Sequence, residues 1–204
     1  MNVKYALPRI DKLRKIMDNR QGLLLTSDLA HFNIPRTYLS IMEQNGEIER
    51  VYRGVYRSTS AFIEDELFSF QSRYSSIIFS HETALYLHGL TDRAPLAYSI
   101  TVPSGYHSQF LNNTGHKIFY VSRDLFDLGI ISMNTPHGNQ VRTTDLERTI
   151  CDIVRSRNQI DVQVRNVALK EYVKNKDRNL DRLHAYAKHF HIQNIVREYL
   201  EILL

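Results

Sequence analysis

Two short stretches of the chain hold the side chains best suited to gripping a polyanion. Pro35-Arg36-Thr37-Tyr38-Leu39-Ser40 offers one guanidinium and three hydroxyls within five residues, and Arg50-Val51-Tyr52-Arg53-Gly54-Val55-Tyr56-Arg57 alternates arginine with tyrosine and valine. An arginine such as Arg36 can present two N–H groups together to the O6 and N7 of guanine, while Thr37, Tyr38 and Ser40 suit base edges or phosphate oxygens. Arg50, Tyr52, Arg53 and Arg57 suit phosphates or a minor groove, and Lys12, Lys15 and Arg20 extend the backbone contacts. Charge is distributed to match. Residues 1–60 contain ten Lys and Arg against six Asp and Glu, while the remainder carries sixteen of each sign, so the whole formal charge of +4 lies in the first third. A polyanionic partner is expected to dock there.

Other chemistries fail on spacing. His81-Glu82 begins like a zinc-protease helix, but position 85, where the second imidazole belongs, is Leu. His88 follows two helical turns after His81 with no third ligand, which favours a helix-surface or capping role, and His184, His189 and His191 read as solvated. Asp145 and Glu147 fall in the first turn of a helix, where carboxylates favour the positive end of the dipole without any catalytic purpose. The single cysteine, Cys151, excludes an internal disulfide and reads as a small buried hydrophobe. There is no Gly-rich phosphate loop, nucleophile elbow or paired-carboxylate nuclease signature, so no catalytic residue, metal or cofactor is expected.

The elements that must position the arginines can be read from periodicity. Ile10, Leu13, Ile16 and Met17 predict an amphipathic helix after Pro8, ended by Gly22. Leu23-Leu24-Leu25 leads into Thr26-Ser27-Asp28, the start of a short second helix. Pro35 opens a third helix, running to about Asn45-Gly46, in which Tyr38 or Leu39 with Ile41 or Met42 faces inward. Residues 47–57 then alternate about Arg53-Gly54 as a hairpin. Three helices and a basic two-stranded ribbon are the parts of a winged helix-turn-helix, whose third helix enters the major groove.

The expected fold class is therefore α+β: a winged helix-turn-helix over residues 1–60, then a mixed α/β domain with a helical end over 61–204. In the second part, residues 61–75 predict a connecting helix and Ile77-Ile78-Phe79 a buried strand. Ser80 is read as the cap of a helix over His81–His88 that Gly89 stops. Strands are expected at Leu96–Val102, Lys117–Val121 and Gly129–Met133, a helix from Thr144 to Val154, and helices throughout the last forty residues. No run is apolar enough to cross a bilayer and the amino terminus lacks a secretory segment, so a cytoplasmic protein without membrane association is expected.

The order of Leu24–Asp28, Pro35–Leu39, Gly46–Tyr56, Phe79–Leu90 and Val141–Asp152 resembles the AbiEi family of antitoxins. The resemblance implies a bacterial type IV toxin–antitoxin system linked to abortive phage infection. It implies a winged-helix domain that represses its own operon by binding inverted repeats, placing the base-reading helix on Arg36 to Ser40 and the wing on Arg50 to Arg57. It also implies a carboxy-terminal domain that counteracts a nucleotidyltransferase-like toxin without a stable complex. Paired sites fit a monomer binding cooperatively or a weak dimer. The alternative is a winged-helix protein whose second domain is an enzyme that reverses or blocks the toxin's modification, using His81, Glu82 or Asp145.

Overall fold

Ile10, Leu13 and Met17 recur at helical spacing on α1 (Val3–Asp18), and all three are buried. Each contributes about 1.5–3 kcal/mol by leaving water, which makes this stripe the fixed face of the first helix. The computed structural model describes residues 3–61 and 65–203. The helix starts before Pro8 rather than after it, with Pro8 inside. Proline's φ suits a helix, and its missing N–H forfeits a single intrahelical bond.

β1 (Leu23–Leu25) was expected only as a lead-in to a helix. It is a strand, antiparallel to β3 with Leu23 opposite Arg57 and Leu25 opposite Val55. A three-residue apolar run is too short to show a period. α2 (Thr26–His31) follows directly, and its Asp28 carboxylate accepts the Leu25 N–H at 2.8 Å. α3 (Thr37–Gln44) begins two residues later than expected, because Pro35 and Arg36 form the preceding turn: their carbonyls accept from Tyr38 and Leu39. β2 (Ile48–Tyr52) and β3 (Val55–Ser58) form the expected hairpin, with a register shift between Arg50 and Tyr52. Among the described residues these strands make one sheet in the order β1-β3-β2.

The helix expected over 61–75 is α4 (Glu66–Arg73), with residues 62–64 outside the described residues. Asp65, 1% exposed, caps it by accepting the Phe68 N–H, and also accepts from Thr135 and from Asn139 at 2.9 Å. The chain divides into two compact units, Met1–Ser75 with Asn134–Gln140, and Ser76–Met133 with Val141–Leu204.

The second unit runs β4 (Ile78–Phe79), α5 (His81–Leu87), β5 (Ser99–Pro103), α6 (Gln109–Asn112), β6 (Lys117–Val121), α7 (Arg123–Phe126), β7 (Ile130–Asn134) and β8 (Gln140–Thr144). It continues with α8 (Leu146–Arg155), α9 (Val162–Lys174), α10 (Leu180–His189) and α11 (Gln193–Leu203). Its sheet has the order β6-β5-β4-β8-β7 among the described residues, with β4 antiparallel to β5 and parallel to β8. Among the described residues the protein is thus a mixed α and β structure with two sheets, and the last helices lie where periodicity placed them.

Two local expectations need correction. Thr144 ends β8 instead of opening a helix; Asp145 is the cap of α8, accepting the Arg148 N–H at 2.8 Å. Ser80 stands at the cap position of α5 but does not cap it with its side chain, since its hydroxyl is engaged by His81 and Thr101.

α8 is the hub of this unit. Ile150, Cys151, Ile153 and Val154 enter the apolar core, yet Glu147, Arg148 and Asp152 are buried as well. Arg148 pairs with Asp152 at 3.0 Å, donates to the Leu125 and Leu128 carbonyls at 2.9 and 2.8 Å, and lies over the Phe190 ring. Gly129, at φ +67°, passes so near that a Cβ there would sit 2.8 Å from Arg148 Cβ. Removing one partner of such a pair leaves a buried charge uncompensated. Arg148→Met is therefore expected to lower unfolding free energy by about 3–5 kcal/mol, read as an earlier urea midpoint by circular dichroism, and Arg148→Met with Asp152→Leu to recover part of that loss.

Candidate nucleic-acid interface

In the first unit α3, the β2–β3 hairpin and the start of α2 converge on a cleft of about 470 Å³. α3 contributes Leu39 and Ser40, with Arg36 at its cap position; the hairpin contributes Arg50, Arg53, Gly54 and Tyr56; α2 contributes Thr26. The sequence separates Arg36 from Arg53 by seventeen positions, and the fold puts them on one surface. Arg36, Arg50 and Arg53 are exposed, and among the described residues none of them is paired with a carboxylate. Like charges gathered without counterions repel one another, so the arrangement favours binding of an anion that spans them.

Not every expected residue is here. Tyr38 is a correction: it is 5% exposed and belongs to the core with Leu13, Leu39 and Met42, because the helical turn that points Arg36 and Ser40 outward points residue 38 inward. Arg9 lies over its ring and donates to its hydroxyl at 3.4 Å. Thr37 is exposed but does not line the cleft. Tyr52 is half-buried with the Arg73 guanidinium 4.5 Å from its ring centroid. Arg57 is held by Glu49 at 2.6 Å across the strand pair, which neutralises it.

Among the outlying cations, Arg20 is not a free backbone contact, since it grips both Asp28 oxygens at 2.7 Å. Lys12 lies 4.2 Å from the Phe32 ring centroid, and Lys15 is exposed. Thr26 and Tyr56 are cleft residues that sequence reasoning did not single out. Thr26 had only a helix-start role to recommend it, and its place beside Gly54 follows from the pairing of β1 with β3.

The second unit offers a different cleft, about 450 Å³, with Lys117, Arg93, Glu82 and Asp161 on its walls. Lys117 and Glu82 pair at 2.6 Å, and Asp161 caps α9 by accepting the Gln163 N–H. Its charges balance, so it lacks the uncompensated field of the first cleft. Among the described residues no three His, Cys, Asp or Glu cluster in a way that could hold a metal ion. No helix there is long and apolar enough to cross a membrane.

The three residues of the enzymatic alternative are each committed elsewhere. His81 is fully buried instead of on a helix surface, stacked on Phe119 at 3.5 Å between centroids, with Nδ1 2.8 Å from Ser80 Oγ and Nε2 3.0 Å from Ser156 Oγ. Thr101 also donates to the Ser80 hydroxyl at 2.7 Å, so both ring nitrogens of His81 and the Ser80 oxygen are engaged inside the unit. Burial lowers the His81 pKa to about 4. Glu82 accepts from Lys117 and Ser99, and Asp145 accepts from the Arg148 N–H and from Tyr186 at 3.1 Å. Burial raises the Asp145 carboxyl above its usual range. His88 donates its Nε2 proton to the Thr144 carbonyl at 2.7 Å. Cys151, fully buried with its thiol pushed up by desolvation, is the small hydrophobe its neighbours suggested.

Comparison with known proteins points to the same module. Residues 11–59 match a family model described as a transcriptional regulator, AbiEi antitoxin. The resemblance read from the sequence is borne out over that segment, and the Phe79–Leu90 and Val141–Asp152 stretches lie outside it. A search of curated proteins found no match. The crystal structure of the RV2827C protein from Mycobacterium tuberculosis is similar in fold, with a TM-score of 0.54 at 13% identity, covering 86% of this chain and 69% of that one.

His81 makes stability depend on pH. Its neutral form is favoured in the folded state and its ordinary pKa is 6.5, so the stabilisation is complete above pH 6.5 and is lost as pH falls towards about 4. The loss is roughly 3 kcal/mol on that span. Calorimetric melting from pH 7 to 4 is expected to show a steeper fall for the native protein than for His81→Gln.

Proposed function

We propose that this protein is a DNA-binding transcriptional regulator of the antitoxin type, and that residues 1–60 act as a winged helix-turn-helix. One observation carries the reading: three arginines without carboxylate partners, from α3 and from the β2–β3 hairpin, line a single cleft together with Ser40. α3 is the base-reading helix, with Arg36 at its cap position and Ser40 one turn on. The hairpin is the wing, with Arg53 at its tip and Arg50 behind it. The target is double-stranded DNA, taken as paired inverted repeats upstream of the protein's own operon, bound by two copies as cooperating monomers or a weak dimer.

Residues 61–204 form the antitoxin domain, which counteracts a nucleotidyltransferase-like toxin of a type IV abortive-infection system in the cytoplasm without a stable complex. The family match over residues 11–59 supports the regulator half, and the resemblance of the Phe79–Leu90 and Val141–Asp152 stretches supports the antitoxin half. A non-enzymatic role is supported by the engagement of His81, Glu82 and Asp145 in internal bonds.

The test is a footprint on the DNA upstream of the gene at two salt concentrations. Protection of paired inverted sites, weakening as salt rises, is expected; absence of protection at low salt overturns the reading. Arg36→Ala is expected to cost about 1–3 kcal/mol on the protected site and little on random DNA. Arg53→Ala should weaken both and reduce the salt slope by about 1. Arg57→Ala, whose charge Glu49 already compensates, is expected to leave the footprint in place.

A further inference from the structure

The aim of the wing depends on a residue outside it. Gly54 turns the hairpin with φ +82°, in the left-handed region where glycine carries no steric cost. Its carbonyl then points back across the sheet and accepts two bonds from Thr26, one from the backbone N–H at 2.8 Å and one from the hydroxyl at 3.3 Å. Below this point the hairpin is irregular, because the β2–β3 register shifts between Arg50 and Tyr52. A shifted register leaves the strand tip with fewer ladder bonds to hold its direction. The Thr26 N–H continues the β1–β3 ladder past Leu25 and Val55, and its hydroxyl adds a second bond to the same carbonyl, so the turn after Arg53 is held from the β1 side where the β2–β3 ladder is irregular.

Thr26 is itself held. It opens α2, Asp28 ties that helix start to the Leu25 N–H, and Arg20 donates from one guanidinium nitrogen, Nη1, to both Asp28 oxygens. A Cβ added at Gly54 would lie 3.5 Å from Thr26 Oγ1, so the hydroxyl and the turn are already in contact.

We infer that Thr26 is the positioning residue for DNA binding: its hydroxyl, acting through the Gly54 carbonyl, holds the wing tip so that Arg53 faces the same cleft as Arg36. The inference rests on the proposed DNA-binding reading. Thr26 works on the arginine and not on the phosphate, which separates it from an ordinary surface hydroxyl that happens to line the cleft. Valine has the same shape without the hydroxyl, and serine has the hydroxyl without the methyl.

The experiment measures affinity of the full chain for its upstream DNA and for random duplex, with Thr26→Val, Thr26→Ser, Arg53→Ala and the Thr26→Val/Arg53→Ala double variant. Thermal melts check that each variant is folded. Thr26→Val is expected to weaken binding by about 3- to 10-fold, Thr26→Ser to restore most of it, and the double variant to bind no more weakly than Arg53→Ala alone. Wild-type affinity in Thr26→Val overturns the inference, as does an additive loss in the double variant, which would make Thr26 a direct contact. If Thr26→Val is unfolded, Thr26→Ala, which also lacks the hydroxyl, carries the same comparison with Arg53→Ala. A wild-type chain that binds neither DNA fails the underlying reading instead, and is thereby told apart from a failure of the clamp.

Discussion

Arg148 is the residue around which the second unit is organised. A guanidinium that is 1% exposed needs internal partners to offset its desolvation, and Nε and Nη1 of Arg148 find three. Asp152, one turn along the same helix, takes one side; the Leu125 and Leu128 carbonyls take another; the Phe190 ring covers a face. Those partners come from α7 and the turn after it, and from the end of α10, so one side chain fixes the approach of both to α8. Gly129 is glycine for the same reason, since the backbone there runs against the Arg148 stem.

The polar bonds on either side repeat that logic. Asp145 caps α8 and accepts from Tyr186 on α10, while Glu147, 2% exposed, accepts from Tyr172 on α9 and from the Asn179 N–H at the start of α10. The stretch Thr144–Asp152 thus reads as a fold determinant, with its carboxylates and its arginine spent on holding helices together. Burial that would suit a catalytic group elsewhere here serves positioning, and the buried imidazole of His81, bounded by two serine hydroxyls and Phe119, has the same character.

The first unit shows the opposite use of charge. Arg20 is paired with Asp28, Arg14 with Asp11 and Glu47, and Arg57 with Glu49. Among the described residues Arg36, Arg50 and Arg53 have no such partner; neither do Arg9, Lys12 and Lys15, but these do not line the cleft. Basic composition alone spread suspicion over ten side chains; carboxylate pairing withdraws Arg14, Arg20 and Arg57, and the shared cleft sets Arg36, Arg50 and Arg53 apart from the rest. Asp11 lies three residues from Arg14, a helical spacing the sequence can show, whereas Glu47, thirty-three positions away, is brought to it only by the fold.

Sequence by itself determined the elements whose periodicity is long or whose punctuation is strong. The stripe Ile10, Leu13, Met17, the turn at Arg53-Gly54, the strand Lys117–Val121 and the closing helices each repeat a hydrophobic period or carry a residue only one conformation favours, so local physics suffices. It also placed Arg36, Ser40, Arg50 and Arg53 among the candidates, because donor-rich faces are written into helix and strand spacing. Tertiary structure alone decided the rest. It made Leu23–Leu25 and Gln140–Thr144 strands, since short strands exist only through their partners. It turned Tyr38 inward, neutralised Arg57, buried His81 and set Thr26 beneath the wing, because burial, ion pairing and a shared carbonyl are properties of neighbours brought together in space.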